Sequence, residues 1–329
     1  MRKIAIILLA IIAVVIAIVC LEIKNGDILN SKIKCILGNT DECFVAGLKY
    51  LTEDKDANAS LAMFEKGCKK NQSESCNNAG SLNLGEAVFN INKAQSYFDK
   101  ACKLGYSPAC NTLASIYKNG VEVPQDLVRA LKYYEISCGY KNALGCNMVG
   151  FFYQNSLGVS EDLNRAFKFY DEACSLGNNS GCNNLALFYQ NGIGGAEQNT
   201  TIAVKLYENG CSAGNFTSCN NLAFMYQEGI EVAQDLDVAI ELYSIACAQN
   251  EPTACLNLGV IVQNNAQNSN DIQTALNLYS KSCQLGNQDG CVMFQNLVNY
   301  INSDQNTTNQ GLNDQALEGN LTGKNATND

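Results

Sequence analysis

The chain has 329 residues, 47% of them hydrophobic, and carries a net charge of −10 with a pI near 4.7. It contains no His and no basic cluster. That excludes imidazole acid–base chemistry, His-ligated metal sites and the positive footprint that nucleic acid or an anionic lipid surface requires.

Arg2 and Lys3 precede an uncharged run from Ile4 to Leu21. The run is longer than a usual signal-peptide core and close to the length that spans a bilayer. Three readings stand: a signal anchor left in place, a cleaved signal peptide, and a lipoprotein processed before Cys20, for which Val19 is a poor preceding residue. In each, residues 1–24 form the targeting segment and, with Arg2 and Lys3 held inside, the remainder lies outside the cytoplasm. The expected location is periplasmic or secreted, with or without an inner-membrane anchor at residues 4–21. Membrane contact is expected through this segment alone.

Cysteine number 17, and every one except Cys20 belongs to a regular series. The pairs are 35/43, 68/76, 102/110, 138/146, 174/182, 211/219, 247/255 and 283/291, each with seven residues between, and their first members recur every 33 to 37 residues. A period of that size belongs to solenoids of helical hairpins. Such cysteine usage fits an oxidising compartment better than the cytosol.

The helix before each pair is legible. Ala94, Ala130, Ala166, Ala203, Ala239 and Ala275 stand eight residues before the first Cys, with Ser60 in an earlier unit. Phe64, Phe98, Tyr134, Tyr170, Tyr207, Tyr243 and Tyr279 stand four before it. Small residue, aromatic and Cys at i, i+4 and i+8 share one helical face. Asp126, Asp162, Asp235 and Asp271 lie just upstream, where a helix start favours them. Gly38, Gly105, Gly177, Gly214 and Gly286, with Asn71 and Asn250, follow the first Cys by three residues and mark left-handed helix ends; Lys141 is the misfit.

A second helix is expected to begin at the second Cys. Its stripe runs through Leu113, Val149, Leu185, Leu222 and Leu258, then a small residue (Gly80, Ala114, Gly150, Ala186, Ala223, Gly259), then Tyr117, Tyr153, Tyr189 and Tyr226. Each Cys pair therefore joins the end of one helix to the start of the next across a tight turn. Bonding within pairs is the simplest connectivity: Cys35–Cys43, Cys68–Cys76, Cys102–Cys110, Cys138–Cys146, Cys174–Cys182, Cys211–Cys219, Cys247–Cys255 and Cys283–Cys291. Zinc is the rival reading, but it favours closer cysteine spacing and usually His, so no metal and no other cofactor is expected.

The pattern A-x3-[YF]-x3-C-x7-C-x2-L-[GA]-x2-Y resembles that of the Helicobacter cysteine-rich proteins, whose units are Sel-one-like repeats related to the tetratricopeptide repeat. The likeness covers about residues 35–299; the first unit, Asp27 to Leu51, and the unit after Cys76 depart from it. It implies an all-α fold, a right-handed α/α superhelical solenoid of about eight disulfide-bridged hairpins filling residues 25–300, with the second helices lining a concave groove. Asn77, Asn111, Asn147, Asn183 and Asn220 follow the second Cys in successive units. On that lining they would clamp the backbone of an extended protein or peptide, with Asn184 and Asn221 beside them, because each amide both donates and accepts. The plainer reading is local hydrogen bonding at a helix start.

The resembling family is also described as penicillin-binding or weakly β-lactam-hydrolysing, which implies a serine nucleophile beside a base and peptidoglycan-related or β-lactam ligands. Two S-x-x-K strings occur, Ser31 to Lys34 and Ser115 to Lys118, but no S-D-N or K-T-G accompanies them. No catalytic residue is assigned. Four [DE]-x-N-x-[ST] segments, centred on Asn58, Asn199, Asn306 and Asn320, resemble the acceptor of bacterial periplasmic N-glycosylation; an Asn-rich composition is the competing explanation. Residues 301–329 have almost no apolar content and are predicted to be disordered. The sequence thus reads as an exported scaffold binding a protein or peptide, in envelope or host interactions, with a weak hydrolase as the alternative.

Overall fold

The computed structural model describes residues 28–302, and among them every regular element is helical. In chain order these are α1 (28–36), α2 (Thr40–Thr52), α3 (Ala57–Lys69), α4 (Ser73–Leu82), α5 (Ile91–Lys103), α6 (Ser107–Asn119), α7 (Leu127–Gly139), α8 (Ala143–Gln154), α9 (Leu163–Ser175), α10 (Asn179–Asn191), α11 (Thr200–Ser212), α12 (Phe216–Glu228), α13 (Leu236–Ala248), α14 (Pro252–Asn264), α15 (Ser269–Gln284) and α16 (288–302). A single 3₁₀ turn, Glu86–Val88, interrupts the link from α4 to α5. The chain divides into two compact units, with the division between Gly181 and Cys182. Each is a run of consecutive helical hairpins.

The caps explain where helices stop and start. Gly105, Gly177, Gly214 and Gly286 all have positive φ, as do Asn71 and Asn250. Lys141 adopts the same left-handed conformation at φ 59°, so the disulfide-bridged turn imposes it on a residue that does not favour it. The second helix starts three residues before the second Cys rather than at it. Its N-cap lies four residues before that Cys: Asn142 accepts from the Gly145 amide at 3.1 Å, and Asn215 from Ser218 at 2.8 Å. The Cys is thereby set on the first turn, facing back to its partner.

Seven disulfides have the expected partners, with Cα separations from 4.5 Å in Cys68–Cys76 to 4.8 Å in Cys102–Cys110. Cys174 and Cys182 are disulfide-bonded too. Close approach of the bridged helices comes from the residue before each Cys. Gly67 faces Ser75, Gly145 faces Ser137, Gly210 faces Ser218, and Gly290 faces Ser282; a methyl group on any of these glycines would lie within 3 Å of the serine. Bridged helices nevertheless touch less extensively than α2 with α3, α4 with α5, α6 with α7, α8 with α9, α12 with α13, or α14 with α15.

That tighter contact is built on the aromatic. The rings of Phe64, Phe98, Tyr170 and Tyr279 lie over Gly47, Gly80, Gly150 and Gly259 of the preceding helix, where a Cβ would come within 3 Å of the ring. All four aromatics are fully buried. A buried phenol needs a partner for its hydroxyl, and each tyrosine finds one on the preceding helix. Tyr170 donates to Gln154, Tyr207 to Gln190, Tyr243 to Gln227 and Tyr279 to Gln263, at 2.5 to 3.1 Å. Burial holds the first three hydroxyls above the usual phenol range, and pushes Tyr279 up to about 12. Where the aromatic is Phe64 or Phe98, the glutamine position holds Leu51 or Leu84. At Tyr134 the glutamine position holds Lys118, and Ser115 of the preceding helix is the hydroxyl's partner instead.

Candidate functional site: the second-helix face

The asparagines expected to clamp a ligand sit one residue after the second Cys, past the capping turn. The caps are other residues, so local capping does not account for them. In the unit from Cys182 onward they form a hydrogen-bonded seam between successive second helices. Asn257 donates to Asn220 Oδ1 at 3.0 Å, Asn220 to Asn221 Oδ1 at 3.2 Å, and Asn221 to Asn183 Oδ1 at 3.0 Å. Ser218 adds a second bond to Asn183 Oδ1 at 3.2 Å. Asn183 and Asn220 are buried, and much of their capacity is already engaged within the protein.

In the unit ending at Gly181, Asn147 is buried while Asn77 and Asn111 are half-buried. Asn77 donates to its neighbour Asn78 at 3.4 Å. Asn111 donates to Asn142, the cap of α8, at 2.9 Å, and Asn142 in turn donates to Ser107 at 3.1 Å. One cap thus ties two hairpins together. Asn111 Oδ1 is buried and accepts no hydrogen bond.

The same position continues past Asn220 as Leu256 and Val292. With Asn257, Val260, Asp289 and Met293 these line a cavity of about 320 Å³ between α14 and α16. Val292 is exposed there. The second-helix face of this unit therefore runs from a row of amides into an apolar pocket with one carboxylate at its edge. The sequence signal for the pocket is the loss of Asn at 256 and 292, where the row of amides after the second Cys ends.

Neither S-x-x-K string forms a nucleophile–base pair. Ser31 is buried and donates to Glu42, which Lys34 also meets at 3.3 Å. The Ser31 hydroxyl first, then Lys34, hold the Glu42 carboxyl below its usual range. The string is a clip fastening α1 to α2. Ser115 accepts from Asn119 at 3.3 Å and hydrogen-bonds Tyr134. Among the described residues, the one group with metal-ligand geometry is Cys138, Cys146 and Glu172, and its two sulfurs already form a disulfide.

Asn58 is exposed on the first turn of α3, and Asn199 is the exposed N-cap of α11, accepting from Ile202 at 3.0 Å. Asn306 and Asn320, the run 4–21 with Cys20, and the tail from 303 lie outside the described residues. Among the described residues no helix is long and apolar enough to cross a membrane.

Cap, bridge, small residue and aromatic recur together in every described hairpin after the first, which defines a helical-repeat scaffold of the α/α class. The Sel1 repeat model matches residues 73–106, 107–138, 143–178, 179–215, 217–251 and 252–287, and the chain belongs to this repeat family. The matched repeats run from a second helix through the following first helix, so the bridges Cys102–Cys110, Cys138–Cys146, Cys211–Cys219 and Cys247–Cys255 each join one matched repeat to the next. Among solved structures, a protective antigen of uropathogenic Escherichia coli with an SLR fold is 26% identical with a TM-score of 0.68, covering 82% of this chain. This chain spans only 59% of that antigen. A Sel1 repeat protein from Oxalobacter formigenes is 21% identical with a TM-score of 0.62, covering 71% of this chain and 96% of its own. Helicobacter pylori cysteine rich protein B is 29% identical with a TM-score of 0.34, covering 40% of this chain and 97% of its own. No curated protein sequence matches the chain.

Proposed function

We propose that this protein is an exported scaffold that binds an extended segment of a protein partner along the second helices of residues 182–302. The observation carrying this reading is the continuous line from the amide seam at Asn183, Asn220 and Asn257 into the apolar pocket at Leu256 and Val292. The seam orients its amides in advance, which lowers the ordering cost of binding. The pocket accepts an apolar side chain of the partner. Only Lys205 and Lys281 offset ten carboxylates in residues 182–302, so basic residues flanking that side chain complement the surface. The disulfides support an oxidising, extracytoplasmic setting.

A photoreactive amino acid at Val292 or Phe224, both exposed on second helices, tests this against one at Ile245, exposed on a first helix. Cross-linking in secreted or envelope fractions is expected from the first two positions and not from the third. Val292→Asp should abolish the Phe224 cross-link. Equal labelling from Ile245, or none from either second-helix position, would sink the reading. The hydrolase alternative has no comparable support, because Ser31 and Lys34 are both held by Glu42.

A further inference from the structure

One position breaks the repeat in a way the fold does not require. Seven residues before the first Cys, the chain has Leu61, Leu131, Phe167, Val204, Ile240 and Leu276, and in one hairpin Gln95. Leu131 and Val204 are buried, and Ile240 and Leu276 pack against core clusters. Gln95 therefore occupies an apolar slot. Its Nε2 is buried and has no hydrogen-bond partner, a situation that destabilises the fold.

Gln95 lines a cavity of about 260 Å³ between α5, α6 and the start of α7, together with Tyr117, Val123, Pro124, Asp126 and Arg129. Asp126, the N-cap of α7, holds Arg129 through Nε at 3.1 Å and accepts the Arg129 backbone amide at 2.9 Å. The guanidinium carbon lies 5.4 Å from the Tyr117 ring centre, and Tyr117 is itself stacked on Tyr133 at 6.0 Å. The guanidinium is thus fixed in place by the Asp126 carboxylate at Nε and by Tyr117, whose ring lies beneath it and whose hydroxyl accepts one of its hydrogen bonds. The next hairpin repeats the arginine and tyrosine, with Arg165 5.2 Å from the Tyr153 ring centre, but carries Leu131 in place of Gln95.

We propose that this cavity is a carboxylate-binding site: Gln95 Nε2 and the terminal nitrogens of Arg129 donate to the ligand's oxygens, and Tyr117, Val123 and Pro124 cover the carbon chain behind them. A carboxylate satisfies the orphaned amide and matches the planar guanidinium. The ligand class is a peptide carboxylate, at a side chain or at a C-terminus. The site lies in residues 28–181 and is independent of the second-helix face assigned to residues 182–302.

The test uses the full chain, ¹⁵N-labelled with disulfides intact, and three probes. Acetyl-Ala-Glu-amide presents a side-chain carboxylate, acetyl-Ala-Ala a terminal one, and acetyl-Ala-Gln-amide neither. The Gln95 side-chain amide resonances, assigned by their loss in Gln95→Leu, are expected to shift saturably with one or both carboxylate peptides, and which of them acts identifies the source. Gln95→Leu and Arg129→Gln should each weaken binding at least about tenfold, while Gln95→Leu raises Tm by restoring the repeat. An equal shift with the amide peptide, no shift with either carboxylate, undiminished binding by Gln95→Leu, or a lowered Tm in that variant would each overturn the proposal.

Discussion

Residues 28–181 and 182–302 are built on one period, yet their surfaces differ. The first segment has sixteen acidic and sixteen basic residues; the second has ten acidic and two basic. Arginine–tyrosine pairs and ion pairs such as Lys141–Glu172 at 2.8 Å and Lys103–Asp99 at 2.6 Å decorate the first. In the second, Lys281 reaches the Cys247 carbonyl at 2.6 Å instead of a carboxylate. Exposed ion pairs contribute about 0–1 kcal/mol each, so they are not what holds the first segment together. Both segments share the bridged turn, the small-residue crossing and the aromatic over a small residue. The fold is set by those interior features, and the surface is left open to specialise.

The largest effect expected from breaking this comparison is reduction. On the chain-entropy model each short bridged loop contributes about 2.5 kcal/mol, and both segments carry several. Strong reductant at neutral pH should lower Tm by tens of degrees and cost cooperativity. The cation-poor segment, residues 182–302, should go first at low ionic strength, since self-repulsion adds to the loss. Limited proteolysis under reductant checks the order: early cleavage sites should cluster beyond Gly181. Unchanged melting on reduction would remove the bridges from the account of stability.

Much of this architecture is legible in the sequence because it repeats. Gly105 or Asn250 at the turn, Ala130 and Tyr134 on the buried stripe, and the cysteine spacing each point to the same element. The start of the second helix is misplaced by three residues because the eye falls on the Cys, whereas the backbone obeys the Asn142-type cap four residues earlier. The glutamine partners of Tyr170, Tyr207, Tyr243 and Tyr279 recur in register, but that pattern has meaning only once it is known which helices meet. The asparagine ladder is visible in the sequence as a row; its engagement with Asn221, Asn257 and Asn142 depends on inter-helix distances that no single helix reveals.

A smaller effect sharpens the same comparison. Gln263→Leu strands the Tyr279 hydroxyl and should cost about 1–3 kcal/mol, read as a lowered midpoint in urea. Adding Tyr279→Phe should recover most of that loss, because the pair then copies Leu84 and Phe98 of the other segment. A double variant as unstable as the single would show that Gln263 matters for something besides the hydroxyl.

The smallest expected effect is that of salt. Raising ionic strength from low to physiological screens the like charges of residues 182–302. Amide hydrogen exchange in α12 to α15 should slow by a factor corresponding to about 1 kcal/mol or less, with α5 to α8 changing less. Equal slowing in both would show that the charge imbalance has no local consequence.

The bridged turns also bear on what happens when the backbone is cut. Lys70, Lys103 and Lys141 are exposed and lie between the two cysteines of their pairs, the places where a trypsin-like protease would find the chain. Each bridge closes a ring only 8 residues apart in sequence. A nick inside such a ring leaves both pieces covalently attached, with the flanking helices still packed. Because bridges such as Cys102–Cys110 and Cys138–Cys146 join one matched repeat to the next, the joints between repeats are points where the molecule can be cut without falling apart.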